Sequence, residues 1–552
     1  MSQPSTQASN AIIYLTYGGF LYSDGLLCRL ETSPPDNGSF ISKKTPPTKL
    51  TMNQGEFLSS NRTQTALPLA LNFIAASLGS SILFSYPQLA TIVGVQGVII
   101  YAISSAAPLL VFAFLTPIIR KKCPEGFVLT EWTRQRYGVV TAIYLSFMTM
   151  ATMFLYMVAE LSALQQIMTA LTGMDGLPMV IVQCAVTTIY TSVGGFKISF
   201  ITDNIQATMV ISLIIIATIT IGVQTKIDKS LRDNSVLLEP SKLGWQLLYI
   251  LPVSIITNVF FLSSFWIRAF AAKTDRDLWT GVTIATLVVL IILTLVGVTG
   301  LIATWSGAYD PTNPDQDGSI AFFLLLESLP TWTIGLILVI VISMSTAAFD
   351  SIQSAMVSTA SNDLFRNKLN IWFIRASVVL LIFPVVVIAL KSPSVLRIYL
   401  ISNLVSTSTI PVLVLGLMDR FYWWRGFEVV VGGLGGLLSV FVFGTIYFGD
   451  AEQGANLLII DSGLFANDWS VFGAFVAAPV GSILWGFGAL AVRLGYRFVE
   501  AKVKGHRFDA LDRPAYMQER AEGVTDYVDD HDEVHSDAPA GLVAVDYKSK
   551  FF

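Results

Sequence analysis

The sequence predicts an all-α polytopic membrane protein whose ten-helix core is built from two five-helix halves of inverted topology. Three observations carry this. The chain is 53% hydrophobic and 13% charged, with a mean hydropathy of +0.64, whereas soluble domains carry about 25% charged residues. Apolar runs long enough to cross roughly 30 Å of hydrocarbon recur along the chain. Two of them, five apart, are interrupted by small residues, proline or amides, as expected when each half of an inverted repeat opens on a discontinuous helix.

In order, the runs are Ala66–Thr91, Val95–Ile119, Val139–Leu171, Leu177–Val193, Phe200–Val223, Leu243–Phe270, Trp279–Trp305, Pro330–Ala360, Ile371–Leu390, Val395–Met418, Phe427–Phe448 and Val471–Val492. The first ten form the core, residues 66–418, and the last two are peripheral helices within 419–495. An odd number of spans per half forces the halves to be inverted. No sequence match between them is visible, so the repeat rests on spacing. The N-terminal segment, 1–65, contains a marginally apolar stretch at Ala11–Cys28 that includes Asp24. It reads either as a thirteenth span or as a leader without fixed structure, and no basic stretch precedes it as a signal peptide would require. The tail, 496–552, turns acidic around Asp526–Glu533 and is poor in large apolar residues, so it is expected to be cytoplasmic and largely disordered.

Lysine and arginine in short loops set the orientation. They gather after the second, sixth, eighth and tenth spans: Arg120, Lys121, Lys122, Arg134 and Arg136; Arg268, Lys273 and Arg276; Arg366, Lys368 and Arg375; Arg420 and Arg425. These ends are cytoplasmic. A net charge of −4 gives no basic surface for nucleic acid. The three cysteines have no metal-ligand spacing, and all three histidines lie in the tail. Titrating groups within the membrane are therefore carboxylates.

The first run breaks at Ala75-Ala76-Ser77-Leu78-Gly79-Ser80-Ser81, ahead of Tyr86-Pro87, and the sixth carries Pro252, Asn258, Ser263 and Ser264. Freed carbonyls at such breaks ligate a cation or solute; close helix packing through small residues is the bland alternative. In the eighth run Ser343, Thr346 and Asp350 share one helical face, an oxygen-rich set suited to a hard cation or to a proton held on a carboxylate. Glu160 in the third run is either a solute contact or helix glue. Asp203, beside Thr202 and one turn from Gln206, reads as a helix N-terminal carboxylate, as a station for a cation leaving to the cytoplasm, or both.

The segment Tyr190–Gln206, YTSVGGFKISFITDNIQ, interrupts the apolar chain with Gly194-Gly195, Lys197 and Asp203, and places a turn on the cytoplasmic side between the fourth and fifth spans. It resembles the signature of the sodium:solute symporter family, with Ile198 standing where that signature prefers a small residue. Ile267–Lys273 is similar to the family's run ending the sixth core helix, and Asn362-Asp363-Leu364-Phe365 to the end of its eighth. Arg120–Gly138 together with Ala170–Met174 most resembles the urea and polyamine symporters of fungi and plants.

The resemblance implies a LeuT-type fold and a symporter working by alternating access on a small polar solute, urea or a polyamine-like nitrogen compound, coupled to H+ or Na+. It implies a sodium site built from the carbonyls of Ala75 and Leu78 and two hydroxyl residues of the eighth helix. One register puts Ser345 and Thr346 there; the gapless register puts Ala347 and Ala348 there and leaves Asp350 as proton carrier. By placement in the first, third and sixth spans, Ser77, Ser81, Glu160 and Asn258 are expected to line the solute site. Gly194, Gly195, Thr202, Asp203 and Gln206 are expected at the cytoplasmic gate. No cofactor, no enzymatic step and no obligate protein partner are expected, the surroundings are the lipid bilayer, and the location is the plasma membrane. The alternatives are a non-transporting nutrient sensor and an uncoupled channel.

Overall fold

The computed structural model describes residues 5–32, 62–123, 129–313, 316–366, 370–391, 395–461 and 468–512. The acidic run of the tail, Lys43, Lys44, Lys49 and Lys368 lie outside the described residues. Strandless among the described residues, the chain forms α1 Thr6–Thr32, α2 Ala66–Ser77, α3 Ile82–Val93, α4 Val95–Ala106, α5 Leu109–Lys122, α6 Leu129–Tyr137, α7 Val139–Thr172 and α8 Leu177–Gln224. It continues with α9 Lys242–Val259, α10 Ser263–Ala271, α11 Asp275–Trp305, α12 Ala321–Glu327, α13 Thr331–Phe365, α14 Ile371–Ala389, α15 Val395–Val414, α16 Gly426–Phe448, α17 Ala451–Leu458 and α18 Ser470–Lys504.

Among the described residues, eight helical stretches are individually long and apolar enough to cross a membrane, and two bent pairs raise this to ten. The fourth and ninth of the twelve expected spans lie in the helices α8 and α14, whose described side chains include the apolar stretches Leu177–Ile189 and Val379–Ala389. The bent pairs are the two interrupted runs: α2 meets α3 at 64° and α9 meets α10 at 63°. Each break contains one leucine out of helical geometry with nearly the same ψ, Leu78 at φ −109°, ψ 85° and Leu262 at φ −84°, ψ 83°. Both breaks leave amides and carbonyls without partners in a helix, which must then be satisfied from elsewhere.

The turn expected at Gly194-Gly195 is not a gap in the helix: α8 runs for 48 residues with helical backbone throughout. It nonetheless doubles back. Thr346 Oγ1 donates to Gln183 Oε1 at 3.1 Å, and Ser351 Oγ donates to Asp203 Oδ2 at 3.2 Å. From 183 to 203 a straight helix rises about 30 Å, whereas from 346 to 351 α13 rises about 7.5 Å, a mismatch no side chain spans. The glycine pair sits midway along this curved stretch, where the missing Cβ atoms ease the bending.

α1 lies against α8 and α13, burying Ile13, Tyr17 and Phe20. The Tyr17 hydroxyl donates to Gln183, which ties this helix to the same face of α8 that Thr346 uses. At the C-terminal end of α13, Asp363 accepts from Thr130 Oγ1 at 2.7 Å and Ser146 Oγ at 2.6 Å, while Arg134 bonds its carbonyl, so α6 is stapled to α13. The tail begins later than expected: α18 carries helix to Lys504, and Tyr422 donates to the Leu511 carbonyl at 3.0 Å. Arg493 of α18 is fully buried, its Nε 2.5 Å from Glu428 Oε1. A carboxylate placed at the start of α16 needed a buried cation, and the end of α18 supplies it.

Candidate functional site between the two breaks

A cavity of about 160 Å³ opens where both broken helices meet α7, α13 and α15. Ser77, Gly79 and Ser81 enter from the first break, Leu262 and Ser264 from the second, Glu160 from α7, Ala348 and Ile352 from α13. Four tyrosines complete its wall: Tyr86, Tyr101, Tyr156 and Tyr399. Tyr86 and Tyr101 stack with centroids 3.9 Å apart, and Tyr156 meets Tyr399 edge-on at 4.7 Å. Tyr86 donates its hydroxyl to Ser105 Oγ at 2.5 Å, and Tyr399 shares a 2.5 Å bond with Ser81 Oγ.

Glu160 is buried, and its Oε1 accepts from both the Ser80 amide and the Ser80 hydroxyl at 2.6 Å. A Cβ at Gly79 would collide with Oε2, so the glycine is what lets the carboxylate lie against the break. Ser77 turns its hydroxyl back onto the Phe73 carbonyl at 2.6 Å, as serines within a helix do, yet still faces the cavity. Asn258 departs from expectation. Its amide donates to Ser402 Oγ at 3.0 Å, which turns the side chain toward α15, and it is absent from the cavity wall that Ile255 and Val259 of the same helix share.

The expected cation residues divide. The Ala75 carbonyl is used by the Leu78 amide at 3.4 Å within the break. Thr346 faces α8 through Gln183 and back-bonds Ile342 at 2.7 Å, and Ser345 is buried with no hydrogen-bond partner among the described residues. It is Ala348 that shares the cavity wall with the first break. Asp350 lies off the cavity wall, in a buried cluster shared by α8, α10 and α13. Arg268 Nη2 is 2.5 Å from Asp203 Oδ2 and 2.6 Å from Ser351 Oγ, and Ser351 Oγ is 3.3 Å from Asp350 Oδ1. Arg268 also donates to the Ser264 carbonyl at 2.8 Å, which links the cluster to the second break. Asp203 is therefore not a helix N-terminal carboxylate; α8 continues on both sides of it, and its oxygens are held by side chains. Thr202 donates to the Ser199 carbonyl at 3.0 Å, and Gln206 is buried nearby on the sequence.

Two groups escaped the sequence reading. The tyrosines are scattered over four helices, and nothing in their spacing announces a shared cavity. Ser80 as the partner of Glu160 was hidden among neighbouring serines, although an intramembrane carboxylate demands such a partner.

Two broken helices that meet at a tyrosine-walled cavity, with a buried charge cluster beside it, are the arrangement expected of a membrane transporter of the LeuT-fold class. A family model described as the sodium:solute symporter family matches residues 57–426. The chain belongs to that family. It is 48% identical over 521 residues to the spermidine transporter DUR31 of Candida albicans, covering 94% of this chain and 96% of that one. Among solved structures it resembles a Na+-coupled sialic acid symporter in a substrate-bound outward-open state, with a TM-score of 0.62 at 14% identity over 86% of this chain and 97% of that one. It also resembles MHP1, a nucleobase-cation-symport-1 family transporter, with a TM-score of 0.50 at 13% identity over 80% and 96%. At such identities the likeness is one of fold.

Proposed function

We propose that this protein is a secondary active symporter of protonated amines, with polyamines of the spermidine type as its substrates, acting at the plasma membrane. The observation that carries the reading is the cavity wall: one carboxylate, Glu160, among four tyrosines and several serines. A desolvated ammonium is stabilised by a carboxylate and by aromatic faces, and hydroxyls orient the intervening amine. A neutral amide such as urea has no comparable need for the charge. The spermidine transporter of Candida albicans at 48% identity supports the same substrate class.

In this reading the two broken helices belong to two inverted five-span halves, and access alternates by their movement around the cavity. The proton is the coupling ion. Support comes from Ala348, which offers no hydroxyl where the cavity meets the first break, and from Asp350, a buried carboxylate that accepts from Ser351 beside the Asp203–Arg268 pair. α1 is read as an additional span: its 27 residues reach about 40 Å.

The test is uptake of labelled spermidine, putrescine and urea in cells lacking their own transporters, with proton and sodium gradients varied independently. Spermidine accumulation that collapses with the proton gradient and ignores sodium is expected. Sodium-dependent accumulation would replace the coupling ion; uptake insensitive to both gradients would indicate a channel; urea uptake alone would overturn the amine reading.

A further inference from the structure

The start of α3 is the positive end of a half-helix inside the membrane, the kind of element that in other broken-helix transporters is directed at an anionic substrate group. Here that position is filled by the protein itself. Glu160 reaches across from α7, its Oε1 accepting from the amide and hydroxyl of Ser80, two residues before α3 begins. Gly79 leaves the room for Oε2. The same carboxylate stands on the cavity wall, next to Ser81 and its partner Tyr399.

We infer that Glu160 is a specificity-determining residue that occupies the anion position of the half-helix and so excludes carboxylate-bearing solutes while admitting their decarboxylated amines. This rests on the amine reading above and extends it. A solute carboxylate entering the cavity meets no open helix end and a like charge in its place, which disfavours it. A solute with amines alone meets an acceptor already oriented by Ser80.

The experiment uses the full chain in transporter-deficient cells and a matched pair of solutes, spermidine and carboxyspermidine, which differ by one carboxylate. Labelled spermidine uptake is competed with each unlabelled compound, and surface protein is quantified. In the wild type, carboxyspermidine should compete at least a hundredfold more weakly than spermidine. Glu160→Gln and Glu160→Ser should lower spermidine uptake and narrow that ratio at least tenfold, while Glu160→Asp keeps most of it. Ser80→Ala, which loosens the carboxylate without removing it, should narrow the ratio by a smaller factor and stands in if the Glu160 variants fail to reach the surface. An unchanged ratio in a surface-expressed Glu160→Gln, or in Ser80→Ala where that variant stands in, overturns the inference. Wild-type protein that takes up spermidine but is competed equally by both compounds also overturns it, and leaves the amine reading intact; wild-type protein with no spermidine uptake overturns the amine reading itself.

Discussion

Asp203 of α8 and Arg268 of α10 form an ion pair 2.5 Å apart with both side chains fully buried. Removing one partner of such a pair strands a charge, at a cost of about 3–5 kcal/mol. Arg268→Met, which leaves Asp203 without its cation, should therefore lower the detergent-solubilised melting temperature and the surface level sharply. The double variant Asp203→Asn, Arg268→Gln should recover part of the loss in the same thermal assay. Equal destabilisation in the single and double variants would show that the guanidinium serves chiefly through Ser264 and Ser351.

Asp350 shares this cluster through Ser351. Under the proton-coupled reading, Asp350→Asn should abolish accumulation against a gradient and leave spermidine counterflow in preloaded vesicles within about threefold of wild type. Concentrative uptake surviving in Asp350→Asn would assign coupling to another group.

Gly79→Ala tests the close approach of Glu160 to the first break. The new Cβ collides with Oε2, and the carboxylate, a flexible side-chain end beside the cavity, must move off Ser80. An uptake loss of at least tenfold, expressed mainly as a raised KM, is expected, measured against surface-normalised wild type. A KM equal to that of the wild type would mean the loop yields instead.

Tyr399→Phe removes the hydroxyl bonded to Ser81 while keeping the ring against Tyr156. Loss of one such bond is worth about 1 kcal/mol, so KM for spermidine should rise roughly fivefold. Tyr399→Leu, which also removes the aromatic face, should cost more, and equal effects of the two changes would remove the ring from amine recognition.

Glu428 and Arg493 lie in the two peripheral helices, away from the cavity wall. Arg493→Met should destabilise the protein by about 3–5 kcal/mol yet leave spermidine KM unchanged per molecule at the surface. The combination separates stability from transport, and a shifted KM would implicate these helices in the cycle.

Most of the scaffold was legible because hydrocarbon imposes long apolar runs and because polar interruptions in them are conspicuous; both bent pairs fall in the first and sixth runs, one break at Gly79-Ser80-Ser81 and the other just ahead of Ser263-Ser264, whereas Pro87 and Pro252 lie inside helices. The site was legible where a single residue violates the apolar rule, as Glu160 and Asp203 do. It was not legible where function is shared across helices. Asn258 satisfies the same polarity criterion as Ser81 but spends its amide on Ser402, and Thr346 lies only two residues from Ala348 yet faces a different helix. Which way a residue faces is decided by the rotation of α13 against its neighbours, a property no local pattern contains.

That α8 returns to α13 has a mechanical consequence. Gln183 and Asp203, on the two arms of the bent helix, hold Thr346 and Ser351, less than two turns apart on α13. The arms and α13 thus form a clasp: sliding α13 by one turn relative to either arm would unlatch both. The frame gripping α13 should travel as one piece, and Arg268, bonded to both Asp203 and Ser351, should carry α10 along with it.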